Sequence, residues 1–484
     1  MSAATVGCTV GPDYRRPKVD VPGTYREAAA RPAAEPESSA QQGSAPGSGP
    51  SPQAAQAGDK LPEQAAAQSF GDQKWWDVFQ DPQLQRLIRT ALEQNYDVRI
   101  AATRILAAQA VLGITRADQL PTINALASGT NDRFPQQKFV PGYEDSATSV
   151  SASVFWALDF WGKYRRATEA ARANLLATEW ARRAVISTLV SNVAASYFEL
   201  RSDDLQLEIA RRTLVSRRES LALTRTLQEG GAGTMLDVRQ AEQLVAVAAE
   251  SIPELERRIH EQENFISTLL GNNPGPIDRG MTLTDQPLLP DVPAGIPSRL
   301  LERRPDIRAA EAQLVAANAR IGVAKAAYFP DITLTAFGGF RTAALSSLFT
   351  TSAGFWSVGA NLVQPIFTGG RIRSGVRLSE ARKEELVLTY QQTIQEAFRG
   401  VSDALVGYQK SRQFRQHQEE LLIAARDAAR LSDERYRGGA ASYLEVLTNE
   451  TNAFNADLGL TQARLNELIT LVDIYRNLGG GWDQ

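Results

Sequence analysis

The sequence predicts a mainly α-helical chain with membrane-type β-strands, internally duplicated, in which long coiled-coil helices and four short strands are the building parts. Three observations carry that reading. A Gly-Gly motif recurs about two hundred residues along the chain, a stretch of about sixty-five residues without Pro or Gly carries an apolar side chain at every seventh position from Ile186 to Leu221, and four short segments alternate apolar with small or polar residues.

The duplication is visible in unrelated landmarks. EGGAGTMLDVR at 229–239 reappears as RGGAASYLEVL at 437–447, an offset of 208 between Gly230 and Gly438. Pro121 answers Pro330 and Asp97 answers Asp306, both at 209, and Phe160 answers Phe367 at 207. A repeat of this length is half of a pseudo-symmetric fold rather than a solenoid unit.

Taken in order, residues 1–27 form a lipoprotein-like N-terminal segment. Cys8 follows Val6-Gly7 as in the last positions of a lipoprotein cleavage box, but the basic and apolar regions that normally precede such a box are missing, which reads as a shortened N-terminus. Residues 28–69 are rich in Ala, Pro, Ser, Gln and Gly and form a low-complexity tether with too little apolar surface to offset the entropy of ordering. The first repeat, 70–290, opens with an aromatic anchor at Trp75, Trp76 and Phe79. Asp81 then caps a helix whose first-turn residue is Pro82, running to about Leu120. A strand pair follows within 120–160, and the second repeat, 291–484, has its own strand pair within 330–366.

Between Lys163 and Gln228 there is neither Pro nor Gly, and Ile186, Val193, Leu200, Leu207, Leu214 and Leu221 keep a seven-residue spacing. Val387, Ile394, Val401, Tyr408, Leu422, Ala429 and Tyr436 repeat it, with Arg415 interrupting. A helix of that length reaches roughly 100 Å at 1.5 Å per residue, which predicts a rod. The glycine pairs Gly230-Gly231 and Gly438-Gly439 end the rods, because glycine accepts the left-handed conformation at a helix terminus. Thr234 with Asp237, and Ser442 with Glu445, have capping-box spacing, so the turns at 229–234 and 437–442 join antiparallel helices.

In Val150–Asp159 one face carries Val150, Ala152, Val154, Trp156 and Leu158. Segments 332–336 and 356–362 alternate in the same way and 122–130 more weakly, and 131–149 and 341–354 read as water-exposed loops. Their lengths suit tilted membrane strands. Four strands cannot close a barrel, and an open edge in lipid leaves amides unpaired, so protomers must share one; two copies would give eight strands and three would give twelve.

Composition narrows the function classes. Of 484 residues 43% are hydrophobic, and the net charge of −3 points to neither nucleic acid nor an anionic surface as a partner. One cysteine excludes an internal disulfide, and with only His260 and His417 a His/Cys metal cluster is not expected. No uninterrupted apolar run of about eighteen residues occurs, so a single spanning helix is not expected either. No nucleophile is paired with a base, so the chain does not read as an enzyme, and no cofactor is expected beyond a covalent lipid on Cys8. The motif Arg303-Arg304-Pro305-Asp306 beside a helix start reads as structural.

The stretches CTVGPDYRRP at 8–17, WWDVFQDPQLQRLI at 75–88, LLERRPDIRAAEAQLVAANARIGVAKAAYFPDITL at 300–334, QPIFTGGRIRSG at 364–375 and RYRGGAASYLEVL at 435–447 resemble the TolC-type outer-membrane factors, in particular their nodulation-T-like lipoprotein branch. The resemblance implies a homotrimer in the outer membrane of a Gram-negative envelope, lipid-anchored through Cys8. Its twelve-stranded barrel would continue as an α-helical barrel across the periplasm, the exit duct of a tripartite efflux system with a periplasmic adaptor and an inner-membrane RND-type pump. It also implies a periplasmic aperture at the helix turns, with Asp237, Glu445 and Tyr436 as its residues and Gly230, Gly231, Gly438 and Gly439 as hinges. The pattern departs at Ala441 and Thr448, the positions of a basic latch and a second carboxylate. Capping alone can also explain Asp237 and Glu445. Two other readings are the exit duct of a type I protein-secretion system and a coiled-coil periplasmic scaffold without a pore.

Overall fold

The structure, a computed structural model, describes residues 9–23, 25, 69–136, 138–139, 141–288, 292, 295 and 297–482. Cys8 and, except for Ser69, the 28–69 segment lie outside the described residues. Two compact units divide the chain. One holds the residues up to Val19 with Ile100–Arg182 and Asp306–Thr393, and the other Asp20–Arg99, Arg183–Pro305 and Ile394–Gln484.

The element order runs α1 (Trp75–Val78), α2 (Pro82–Gln94), α3 (Tyr96–Ala117), β1 (Thr122–Phe134), β2 (Tyr143–Leu158), α4 (Lys163–Glu229) and α5 (Met235–Leu269). It continues with α6 (Pro297–Arg303), α7 (Pro305–Ala326), β3 (Asp331–Thr342), β4 (Gly354–Val363), α8 (Arg371–Arg437) and α9 (Tyr443–Asn477). The duplication is carried to the residue: α3 and α7 both have 22 residues, α4 and α8 both 67, and α5 and α9 both 35.

The helix expected from Pro82 to about Leu120 is instead two helices meeting at Asn95. The Asn95 side chain accepts from the Asp97 and Val98 amides at 2.8 and 3.2 Å, which starts α3, while its Nδ2 donates to the Leu269 carbonyl at 2.9 Å. An asparagine inside an apolar pattern is easily read through, and here it is a cap. Pro82–Ala117 also contains an eighteen-residue window with a mean hydropathy of 1.3, long and apolar enough by composition to cross a membrane. Its alanines raise the mean where a search for an unbroken apolar run stops at Arg99 and Arg104.

Asp81 does more than cap α2. It is fully buried, and besides the Gln83 and Leu84 amides its carboxylate accepts from Tyr197 Oη, the Met281 amide and Gln286 Nε2, each of these three at 2.9 Å. Trp75 and Phe79 are buried as the anchor reading expects, Phe79 edge-on to Tyr475 at 5.9 Å. The heptad stripe is core at Ile186, Val193, Leu200 and Leu214 and again at Ile394, Val401, Tyr408 and Leu422. Arg415, which interrupts it, is met by the buried Glu467 of α9 and by Glu419 at 2.7 Å. Arg303 and Arg304 donate to the Gly479 and Asn477 carbonyls, both at 3.2 Å, so the Arg-Arg-Pro motif caps the end of α9 while Pro305 opens α7.

The four strands form one antiparallel sheet in the order β1-β2-β3-β4. Register decides its faces. Ile123, Val154, Ala336 and Val358 lie in one row across it, and Ala125, Ala152, Gly338 and Trp356 in another on the same face. Intervening rows such as Asn124, Ser153, Phe337 and Ser357 belong to the reverse, more polar face. The strands outrun their predicted limits: β1 and β2 pair as far as Phe134 and Tyr143, so the loop expected at 131–149 is shorter. That extension is polar and carries the Arg133–Glu144 pair at 3.7 Å, which is why hydrophobic periodicity does not reveal it.

Within the first unit, the segment after Cys8 is strapped down. Val10 N donates to the Trp161 carbonyl at 3.1 Å, Asn318 Nδ2 to the Pro12 carbonyl at 2.8 Å, Arg166 pairs with Asp13 at 3.0 Å, and Arg16 reaches Glu311 and Tyr390 Oη, both at 3.1 Å. Gly11, at φ +113°, lies so close to Gly322 that a Cβ on it would stand 2.5 Å from the Gly322 Cα.

Candidate functional site at the helix turns

The two turns lie in the second unit and share one backbone design. Gly231 (φ +75°) and Gly439 (φ +71°) are left-handed. Ala232 N then donates back to the Leu227 carbonyl, and Ala440 N to the Arg435 carbonyl, both at 2.8 Å, closing the rods with Schellman-type bonds. Of the four glycines expected as hinges, only these two need to be glycine for conformational reasons. Gly230 and Gly438 still donate in helical fashion to Thr226 and Glu434, and a Cβ on either would meet only ordinary contacts at 3.4 Å or more.

The side chains differ between copies. In the first, the capping box forms: the Asp237 amide donates to Thr234 Oγ1 at 3.2 Å and the Thr234 amide to Asp237 Oδ2 at 2.8 Å. In the second it does not form. Ser442 makes no side-chain cap bond, and Glu445 turns instead to Arg435 at 2.7 Å across the turn. Sequence reasoning passed over Arg435; its signal is a cation in the last turn of one helix facing a carboxylate in the first turn of the next. Position 441 is Ala rather than a basic residue, and the cation that meets Glu445 is Arg435, on the other side of the glycines.

Tyr436 and Tyr443 pack edge to face at 5.2 Å, in a cluster with Leu221, Ala241 and Val446 that joins the ends of α4, α5, α8 and α9. Tyr443 is almost wholly buried, with its Oη 3.4 Å from Ser220 Oγ. The Tyr436 hydroxyl is also buried and lies near Thr224 without a well-formed hydrogen bond. Burial, with the Asp237 carboxylate acting in the same sense, holds its phenol above the ordinary value. The Asp237 carboxylate thus acts on Tyr436 through its charge, whereas Glu445 is engaged by Arg435. His260 and His417 are exposed and lie against Glu263 and Glu420, and no metal-binding group of three His, Cys, Asp or Glu occurs among the described residues.

The profile of the outer membrane efflux protein family matches residues 87–272 and again 296–480, one match per repeat. The chain belongs to that family. Relatives extend over most of its length: the probable efflux pump outer membrane protein TtgC of Pseudomonas putida is 37% identical over 425 residues, covering 87% of this chain and 88% of TtgC. Outer membrane protein OprJ of Pseudomonas aeruginosa is 34% identical over 494 residues, covering 100% of this chain and 95% of OprJ. Among solved structures, the outer-membrane channel OprN superposes with a TM-score of 0.85 at 30% identity, over 98% of this chain and 100% of that one. The chain is an outer-membrane efflux channel protein, with a helical tunnel part and a four-stranded share of a barrel.

Proposed function

We propose that three copies of this chain assemble into the exit duct of a tripartite efflux pump for drugs, solvents or other small toxic compounds. A periplasmic adaptor would connect it to an inner-membrane RND-type pump. The observation that carries the trimer is the sheet: its apolar stripes align on one face, its outer strands β1 and β4 each have one open edge among the described residues, and three such sheets close as twelve strands. Eight strands from two copies would fill with side chains rather than leave a lumen. Relatives named for toluene and antibiotic efflux support the cargo class. An acyl chain on Cys8 anchors the trimer; the next residue, Thr9, packs on Gly162, four residues beyond the end of β2 and so beside the barrel rim.

Conduction is passive and gated at the turns. Three-fold symmetry gathers three copies each of Asp237 and Glu445 at a narrow mouth, which favours cations. Adaptor docking parts the turns at Gly231 and Gly439, with the Tyr436–Tyr443 contact and the Arg435–Glu445 pair resisting. Single-channel recording of purified protein in planar bilayers tests this reading: small cation-selective currents that enlarge or lose selectivity in Asp237→Ala and Glu445→Ala support it. Currents untouched by either substitution reduce the turns to structural caps.

A further inference from the structure

Arg217, on α4, is among the largest fully buried side chains, at 2% exposure, and is poorly satisfied. Its Nη1 donates to the Leu244 carbonyl of α5 at 2.9 Å, and its guanidinium lies over the Phe454 ring of α9 with the centroid 5.0 Å away. Nε and Nη2 have no hydrogen-bond partner among the described residues. Glu450, one turn before Phe454, is a compensating charge acting on Arg217, yet its Oε2 is also buried and has no hydrogen-bond partner among the described residues. Both side chains line a cleft of about 400 Å³ with Asp433 and Arg437 from α8.

The duplication shows that this arrangement is not inherited from the fold. At the 208-residue offset Arg217 corresponds to Ala425 and Phe454 to Ala246, while Glu450 corresponds to Glu242, which Arg225 and Arg239 satisfy at 2.9 and 2.7 Å. At the equivalent positions one repeat has two alanines where the other buries an incompletely paired cation beside an aromatic ring. Such groups destabilise the packing that sequesters them, and apolar replacements of a buried charge pair are often stabilising.

We propose that the α4–α9 seam at Arg217 and Glu450 is the place where the helical end is primed to part: displacement of α9 lets water from the adjoining cleft reach both charges, while the Leu244 bond keeps Arg217 with α4 and α5. This rests on the gated-channel reading and names the seam along which its gate gives way.

The test is hydrogen exchange of the full-length protein in detergent, read by mass spectrometry over Tyr443–Phe454. Arg217→Met with Glu450→Gln removes both charges while keeping an unbranched apolar stem at 217 and an isosteric side chain at 450. It is expected to slow exchange there about tenfold, in line with the gain from replacing a buried pair. Glu242→Gln at the equivalent position should leave that segment at the native rate. Arg217→Lys, which retains the charge and guards against misfolding of the double variant, should not slow exchange. An unchanged or faster rate in a double variant that retains native oligomeric size overturns the proposal. Exchange does not depend on current, so absence of a pore in bilayers sinks the channel reading without deciding this one.

Discussion

Replacing Gly439 with alanine should loosen the second turn, whereas replacing its neighbour Gly438 should not. At φ +71° an L side chain crowds its own carbonyl, a cost of about 1–2 kcal/mol. At Gly438 the added Cβ would meet the Glu434 and Arg435 carbonyls at 3.5 and 3.6 Å, ordinary contact, and the loss of chain freedom in the unfolded state stabilises by about 0.4–1 kcal/mol. The unfolded-state contribution is common to both sites, so the two adjacent substitutions differ by roughly 1–2 kcal/mol, a factor of about 5 to 30 in the local opening equilibrium. Hydrogen exchange at the Gly439 and Ala440 amides, which close the turn by donating to Tyr436 and Arg435, reads that equilibrium directly. Gly439→Ala should speed exchange there, and single-channel records should show more frequent openings; Gly438→Ala should leave both unchanged or slow them. Gly231 and Gly230 should behave as the same pair in the first turn. Equal effects at the two positions of either pair would refute the argument from backbone conformation.

The capping difference between the turns predicts that Thr234→Ala destabilises the start of α5 by about 0.5–2 kcal/mol, while Ser442→Ala, where no cap bond exists, changes the start of α9 little; thermal melting with local exchange checks both. Burial, aided by Asp433 and opposed by Arg217, raises the Glu450 carboxyl above its ordinary value. A carboxyl with a raised folded-state pKa contributes stability that is fully present below its unfolded pKa and lost as pH rises through the folded one. The seam facing Arg217 of α4, Asp433 of α8 and Tyr443 of α9 should therefore loosen as pH climbs through that window. Glu450→Gln should remove the extra pH dependence from exchange at Tyr443–Phe454. At the N-terminal strap, Gly322→Val should detach residues 9–17, because Val10 and Gly11 lie against the Gly322 backbone, and limited proteolysis should then cut that segment faster.

Legibility in the sequence follows the range of the interactions. The rods, the turns and the strand faces depend on periodicity and on glycine, which act within a few residues, and they stand where the pattern places them. Asn95 was hidden because its polar character is spent on one local cap and one bond to Leu269, 174 positions away. The polar ends of β1 and β2 have no apolar stripe to announce them; only their pairing with each other makes them strands. At the turns, spacing placed Asp237 correctly in a capping box but misassigned the same role to Glu445, because Arg435 competes for that carboxylate from across the turn. Capping-box spacing states what a side chain can reach, and the strongest available partner decides what it does reach.

The two repeats keep backbone lengths to the residue while exchanging chemistry at a few places near one end. Thr234-Asp237 caps where Ser442-Glu445 does not, and Arg217 and Phe454 are buried where the offset places Ala425 and Ala246. In the proposed ring of six such halves, identical ends would share any opening force equally, and no seam would yield first. Differences in satisfaction break that equality: the first turn is held by a complete capping box, whereas the second is held by an exposed ion pair beside a seam that buries unpaired charge. Exposed pairs are worth up to about 1 kcal/mol and complete caps about 0.5–2 kcal/mol. The α8–α9 hairpin is therefore the half expected to move, and the α4–α5 hairpin the half expected to stay.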